Sequence, residues 1–182
     1  DLFASDLMKT PQRRGGQLYR LGLPGYVINE HAIFALAIAR LALNTASDLA
    51  IEKKRGYGAG TTIADREVFQ QAVATGDLRL KACRAYAVDV LERLFEAAAD
   101  GPPDPYIQGE ARAMATFCTD EAIAVTGELF RHGGGTAVFL GSVLERCLRD
   151  LYTVQSHFVV NDSSYEVYGQ QLLGLIEDSP LR

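Results

Sequence analysis

An all-α fold, an up-down-up-down bundle of four long helices with a short helix at its C-terminal end, is what this 182-residue sequence predicts. Three observations carry the prediction. Apolar residues recur three and four apart through four long segments, the spacing that lines one face of a helix. Short breaks containing Gly or Pro separate the segments, and short connections make consecutive helices antiparallel neighbours. With 48% hydrophobic residues, a chain of this size can bury roughly 70% of its unfolded surface, so one core forms without disulfides or structural metal.

Residues 1–25 hold Pro11, Gly15, Gly16, Gly22, Pro24 and Gly25 without a sustained period. They are expected to be an extended lead-in from a preceding domain, with one short strand at Gln17–Leu21 and no core. The helical domain is expected over 26–182. Its first helix spans Tyr26 to about Arg55, with Phe34, Ile38, Leu41, Thr45 and Leu49 on the inner face, and Gly56 and Gly58 stop it. The second, about Asp65 to Ala99, aligns Val73, Gly76, Leu80, Cys83, Ala87, Val90 and Leu94 in a knobs-into-holes seam. Its small members let a neighbouring helix approach closely, and Gly101-Pro102-Pro103 ends it. The third, about Tyr106 to Arg131, carries Met114, Cys118, Ala122, Val125 and Leu129 and stops at Gly133-Gly134-Gly135. The fourth begins near Phe139, with Leu140, Leu144, Cys147, Leu151, Val154 and Phe158 on its face. Asn161-Asp162-Ser163-Ser164 reads as an N-cap cluster opening a last short helix, about Tyr165 to Leu175. Helices this long usually show more than one apolar face. Leu36, Leu43, Tyr86 and Leu91 lie off the main stripes, from which packing against other subunits is expected.

Charge and cysteine usage narrow the function. Against 23 Asp+Glu stand 18 Lys+Arg, a formal net charge of −5 spread along the chain, so the clustered cations that nucleic-acid binding needs are missing. No run of 18 or more consecutive apolar residues occurs, and no membrane-spanning segment is expected. The start, Asp1-Leu2-Phe3-Ala4-Ser5-Asp6, has neither an initiator Met nor a charged-then-apolar leader, and is expected to be the edge of a piece of a longer protein without a signal peptide. Cys83, Cys118 and Cys147 form no CxxC pair and have no neighbouring His. They are expected to be reduced core thiols in a cytoplasmic protein, with no metal site.

Gly133-Gly134-Gly135 after a helix serves as a C-cap and turn, because glycine tolerates the left-handed conformation a cap requires. Its bare backbone also lets a phosphate or a flat ring come close. Neither GxxxxGK[ST] nor a strand-linked GxGxxG is present, so neither standard nucleotide-binding loop is written here.

Four elements stand in order at helix ends: Arg55-Gly56-Tyr57-Gly58; Val68-Phe69-Gln70; Gly133-Gly134-Gly135; and Leu144-Glu145-Arg146-Cys147-Leu148-Arg149-Asp150. Together they resemble the C-terminal helical domain of acyl-CoA dehydrogenases, over nearly the whole chain. That family carries Arg-x-x-Phe-Gly after its first long helix, a Gln in its second, a Gly-Gly-x-Gly turn, and Leu-x-Arg-x-x-Arg-Asp on its fourth. The resemblance implies flavin binding across a subunit interface, in a homotetramer built as a dimer of dimers. Arg55 and Gln70 would approach the FAD of a neighbouring subunit, and Gly133 and Gly134 would meet its diphosphate. Read from the residues alone, Arg55 can instead complement a helix C-terminus, and Gln70 can be a solvated helix residue.

The sequence departs from the dehydrogenases at one position. In most of them a catalytic glutamate lies eight residues beyond the Arg-Asp aspartate and removes the α-proton of the acyl thioester. Counting from Asp150 gives Phe158, which cannot take a proton. Glu30 lies near, but not at, the position of an alternative base in some relatives. Beside Phe158 stands His157, and the run Arg149 to His157 is similar to the oxygenase components of two-component flavin-dependent monooxygenases. Those enzymes take reduced flavin, FAD or FMN, from a separate flavin reductase and use it with O₂ to hydroxylate a small-molecule substrate. The resemblance makes His157 the main catalytic candidate. Asp150, Thr153 and His157 would share one helical stripe, with Thr153 hydrogen-bonding the imidazole. A histidine satisfied by Thr153 without any chemistry is the plainer alternative. His31, at a helix start, and His132, beside the glycine turn, rank lower. Two other functions stay open: oxidation of an acyl thioester, and a helical oligomerisation module that binds no flavin. Under the enzyme reading the 182 residues alone are expected to be inactive, because the other domains supply further flavin and substrate contacts.

Overall fold

The computed structural model describes residues 16–54 and 60–176. The chain is all-α, as the sequence predicts, and among the described residues the extended pairing is a single bridge between Lys54 and Thr62. The helices are α1 (Gln17–Arg20), α2 (Gly22–Glu52), α3 (Glu67–Ala97), α4 (Pro105–Gly133), a 3₁₀ turn (Gly134–Val138), α5 (Val143–Gln155) and α6 (Ser163–Leu172). The chain divides into two compact units, and α2, α3 and α4 each contribute to both. One gathers the residues up to Ala32, Ala85–Phe117 and those from His157 onward; the other gathers Ile33–Arg84 and Cys118–Ser156.

In the second unit the contacts between successive helices run in opposite order, which fixes an up-down-up-down arrangement there. Arg40 of α2 pairs with Asp77 of α3 at 2.7 Å, and the Ala64 amide donates to the Ala50 carbonyl. Between α3 and α4, Arg79 pairs with Glu121 at 2.6 Å and the Cys118 thiol donates to the Cys83 carbonyl. At Gly76 a β-carbon would lie 3.1 Å from Val125 Cγ1, so the small member of the seam is what lets α4 come close. Between α4 and α5, Gln155 donates to Asp120 at 3.0 Å. The predicted faces of α3 and α4 are buried apart from the half-buried Val73: Gly76, Leu80, Cys83, Ala87, Val90 and Leu94 on one, Met114, Cys118, Ala122, Val125 and Leu129 on the other.

The expectation for α2 is corrected. Phe34 and Leu41 are exposed, while Ala35, Leu36, Ala39, Ala42, Leu43, Ala46 and Ala50 are buried. A stripe of alanines buries completely and lets neighbours approach, whereas the larger residues that dominate the sequence pattern are left outside or half-covered. Apolar side chains on both sides also make α2 long and apolar enough to meet a membrane-span criterion, a test that a buried core helix passes equally. By length and composition Gly25–Glu52 is apolar enough to cross a bilayer, and burial of its alanine face in a helical core accounts for much of that apolarity.

The first unit corrects the lead-in. Residues 17–20 are helical, not a strand, and Leu21 is buried in a stretch expected to hold no core. Gln17 and Arg20 donate to the carbonyls of Phe95, Ala98 and Ala99 at and just beyond the end of α3, where helix carbonyls run out of intrahelical partners. The earlier half of 1–25 lies outside the described residues. The fourth helix is shorter than predicted: Gly141 at φ +100° interrupts the chain, α5 starts at Val143, and Leu140 and Phe158 are exposed. At α6 the helix starts at Ser163, and Asn161 rather than a capping side chain organises its entry, its Oδ1 accepting the amide of Ser163 at 3.0 Å.

Candidate functional site

The His157 ring in the first unit is set by the backbone around it. Val159 and Val160 are fully buried and anchor the turn that follows α5. The Val160 amide donates to the His157 carbonyl at 2.9 Å, and the Val159 amide donates to His157 Nδ1 at 3.3 Å. From α4 the buried Arg112 holds the same turn, its guanidinium donating to the carbonyls of Val159 and Phe158 and to the Ser163 hydroxyl. The anchored turn leaves the imidazole exposed. The Phe158 ring packs on one side at 4.8 Å between centroids, and His31 of α2 on the other at 4.4 Å.

The predicted stripe of Asp150, Thr153 and His157 does not form. Helix α5 ends at Gln155, so helical periodicity does not reach His157, and the Thr153 hydroxyl donates to the Arg149 carbonyl instead. The tautomer is fixed by the Val159 amide: a donor at Nδ1 places the ring hydrogen on Nε2 in the neutral form. Desolvation, followed by the charge of His31, holds the His157 pKa below the ordinary 6.5. The folded state therefore binds fewer protons here than the unfolded one. The stability this ring carries is complete above about pH 6.5 and is lost as pH falls through the lower folded value. An NMR titration should give His157 a midpoint below 6.5, and His31→Gln should raise it by removing the electrostatic contribution of the neighbouring imidazole. A midpoint unmoved by that substitution would show that the two rings are not electrostatically linked.

The glycine turn lies in the second unit. Gly133 is buried, and a β-carbon there would sit 2.6 Å from Ala137 Cβ and 3.3 Å from Leu144 Cδ1, so its bareness serves packing. Gly134 takes φ +58°, the left-handed form that glycine tolerates. Lys53, at the end of α2, donates to the Gly133 carbonyl at 3.0 Å and to the Thr136 hydroxyl at 2.6 Å. The sequence reading missed this lysine; the run Lys53-Lys54-Arg55 at a helix end was the available signal. Beside the turn a groove of 450 Å³ is lined by Thr45, Leu49, Thr136 and Phe139 to Leu144. Gly133→Ala should destabilise by about 1–3 kcal/mol through overpacking, while Gly135→Ala, facing open space, should be close to neutral. Equal denaturation midpoints for the two variants would contradict the packing account.

Of the other candidates, Arg55 lies outside the described residues. Gln70 is exposed at the start of α3 and donates to the Ala64 carbonyl at 3.0 Å. Glu30 is exposed on α2, one residue before His31. His132 packs edge-on against Phe69 and lies 3.5 Å from Glu128.

The family model described as "Acyl-CoA dehydrogenase, C-terminal domain" matches residues 30–162. A curated relative, the indole-3-acetate monooxygenase of Pseudomonas putida, is 29% identical over 144 residues, a match spanning 79% of this chain and 37% of that protein. Among solved structures, the 3-HSA hydroxylase of Rhodococcus sp. RHA1 superposes with a TM-score of 0.78 at 20% identity, covering 92% of this chain and 43% of that one. XiaF from Streptomyces sp., solved with FADH2 and glycerol, gives a TM-score of 0.78 at 19% identity, covering 91% and 42%. The chain thus spans about two fifths of the length of these proteins.

Proposed function

Because this chain belongs to the acyl-CoA dehydrogenase C-terminal domain family, we propose that it forms the helical domain of the oxygenase component of a two-component flavin-dependent monooxygenase, with His157 at the reacting face. One observation carries the reading: where the family's dehydrogenases hold a carboxylate base, this chain holds an exposed phenyl ring packed at a tilt against an exposed imidazole. The Pseudomonas relative's name, a monooxygenase of indole-3-acetate, and the FADH2 bound by XiaF support an aromatic small-molecule substrate and a reduced flavin.

A bound reduced flavin, FAD or FMN delivered by a separate reductase, would supply the electrons that activate O₂. The residues at the glycine turn fit the phosphates of a flavin held by a neighbouring subunit. Lys53 brings an ammonium to the turn, Thr136 a hydroxyl, and Gly134 and Gly135 bare backbone that an anion can approach. Gly133 keeps the turn in shape from behind. Arg55 and Gln70 are proposed to reach the flavin of a neighbouring subunit in a homotetramer. His157 contributes an Nε2–H hydrogen-bond donor, held neutral at pH 7.

The test uses the full-length protein with reduced FAD or FMN, O₂ and a panel of phenols and indoles, beside an acyl-CoA dye-reduction assay. Hydroxylated product without acyl-CoA-dependent dye reduction is the expected result. Dye reduction without oxygenated product would return the function to a dehydrogenase, with Glu30 as the base to examine. A protein that binds neither flavin would be a helical oligomerisation module.

A further inference from the structure

Cys83 on α3 and Cys118 on α4 face each other within the second unit. Both are free thiols, the first 3% exposed and the second fully buried. The Cys118 thiol donates to the Cys83 carbonyl at 3.7 Å, and the two side chains share a hydrogen bond. The antiparallel register of the two helices explains why they meet. A β-carbon on Gly76 would lie 3.1 Å from Val125 Cγ1, and Cys83 and Cys118 stand seven residues from these two, about two turns further along the same seam. Small side chains let the backbones approach there, and a disulfide between facing helices requires such closeness, because its Cα atoms lie only about 4.4–6.8 Å apart. Arg79, one turn before Cys83, pairs with Glu121, one turn after Cys118, at 2.6 Å, and both are half-buried. The thiols therefore lie one helical turn from side chains that solvent reaches.

We propose that Cys83 and Cys118 are a peroxide-oxidised thiol pair that closes a reversible disulfide between α3 and α4. Hydrogen peroxide is the oxidant. The Cys83 thiolate attacks one peroxide oxygen, an S–O bond forms as the O–O bond breaks, and the departing hydroxide recovers the proton that the Cys83 thiol released. The Cys118 sulfur then attacks the Cys83 sulfur, an S–S bond forms as the S–O bond breaks, and the Cys118 proton leaves with that hydroxide. Two thiols lose two electrons, one peroxide gains them, and two waters result. The surroundings assign the roles. The hydrogen bond from Cys118 holds the Cys83 thiol below its ordinary pKa against burial and the Glu121 carboxylate, and the Arg79 guanidinium adds to the lowering. The hydrogen bond with Cys83 and burial push Cys118 up. The sulfur favoured as thiolate attacks first, and its neighbour resolves the sulfenic acid. Burial makes the reaction slow and confines it to local openings of the seam. Cys147 on α5 is buried, and burial pushes its thiol up, so it stays reduced. The pathway uses no flavin and stands or falls apart from the monooxygenase reading.

The test treats the full-length protein with hydrogen peroxide under conditions that leave its far-ultraviolet circular dichroism unchanged, then alkylates it in denaturant and maps its peptides by mass. The peptides holding Cys83 and Cys118 should appear joined, two hydrogens lighter than the separate thiol peptides together, and dithiothreitol should part them. Cys147 should be alkylated as fully as in untreated protein. Cys118→Ala removes the resolving thiol, so dimedone labelling of the Cys83 sulfenic acid should rise about tenfold over wild type. Cys83→Ala should leave Cys118 unlabelled. The proposal is overturned if no joined peptide forms while the fold is intact, if Cys147 is oxidised as readily as the pair, or if dimedone labels Cys118 in Cys83→Ala as strongly as Cys83 in Cys118→Ala. The wild-type peptide map decides the pairing even where a variant does not fold.

Discussion

Replacing His157 by alanine in the full-length protein is expected to divert oxygen from product to hydrogen peroxide while leaving the fold intact. The ring is exposed and its neighbours are two other rings and one amide, so the stability change should stay within about 0.5 kcal/mol. Product formation, by contrast, should fall by about a hundredfold, the lower end of what a positioned proton donor contributes. Oxygen uptake should continue, because the electrons come from the flavin. Loss of the donor opens the site to water, and exposure favours the peroxide-releasing side reaction. His157→Gln, which restores an N–H near the same place, should recover part of the coupling. An unchanged ratio of product to oxygen consumed would remove His157 from the reaction.

The second large effect is expected at Arg112, a guanidinium only 3% exposed. Burial pushes its pKa down, yet an arginine keeps its charge in a protein, so its hydrogen bonds must offset the desolvation. Arg112→Met removes the donors to the Val159 carbonyl, the Phe158 carbonyl and the Ser163 hydroxyl. Phe158 still receives Asn161 Nδ2 at 2.7 Å, whereas the Val159 carbonyl lies in a fully buried residue. The expected loss is about 2 kcal/mol for an unsatisfied buried acceptor, or roughly 4–8 °C in Tm for a chain of this size. Because the same turn carries His157, coupling of oxygen to product should fall with it. A Tm equal to wild type would mean that the thioether packs as well as the guanidinium bonds.

The helical class and the seams of α3 and α4 were legible because large residues mark their buried faces. Leu80, Val90 and Leu94, and Met114, Val125 and Leu129, dominate any three-four pattern and are the residues that the core takes in. Helix α2 was misread for the same reason: its core face is alanine, and Phe34 and Leu41 drew attention to the wrong side. The length of α5 could not be read because Gly141 at φ +100° acts as a stop only in a particular backbone conformation, not by composition. At the candidate site, His157 was visible from its place after Arg149-Asp150, but its partner was not. Thr153 was chosen by helical spacing, and the helix ends two residues too early for that spacing to apply. His31 stands far away in sequence and reaches His157 only through folding, which no local pattern encodes. Gly133 was read both as a cap and as bare backbone open to a ligand; that a side chain there would meet Ala137 and Leu144 is a fact of packing that the sequence does not carry.

The proposed function requires a reduced flavin to bind beside His157, against which the His31 ring packs. Anaerobic titration of the full-length protein with reduced FAD and reduced FMN, followed through the imidazole NMR signals of these two residues, tests this directly. Saturable movement of both signals, at the concentration where flavin binding is seen optically, is the predicted result. Optical binding with both signals unmoved would place the flavin elsewhere and contradict it.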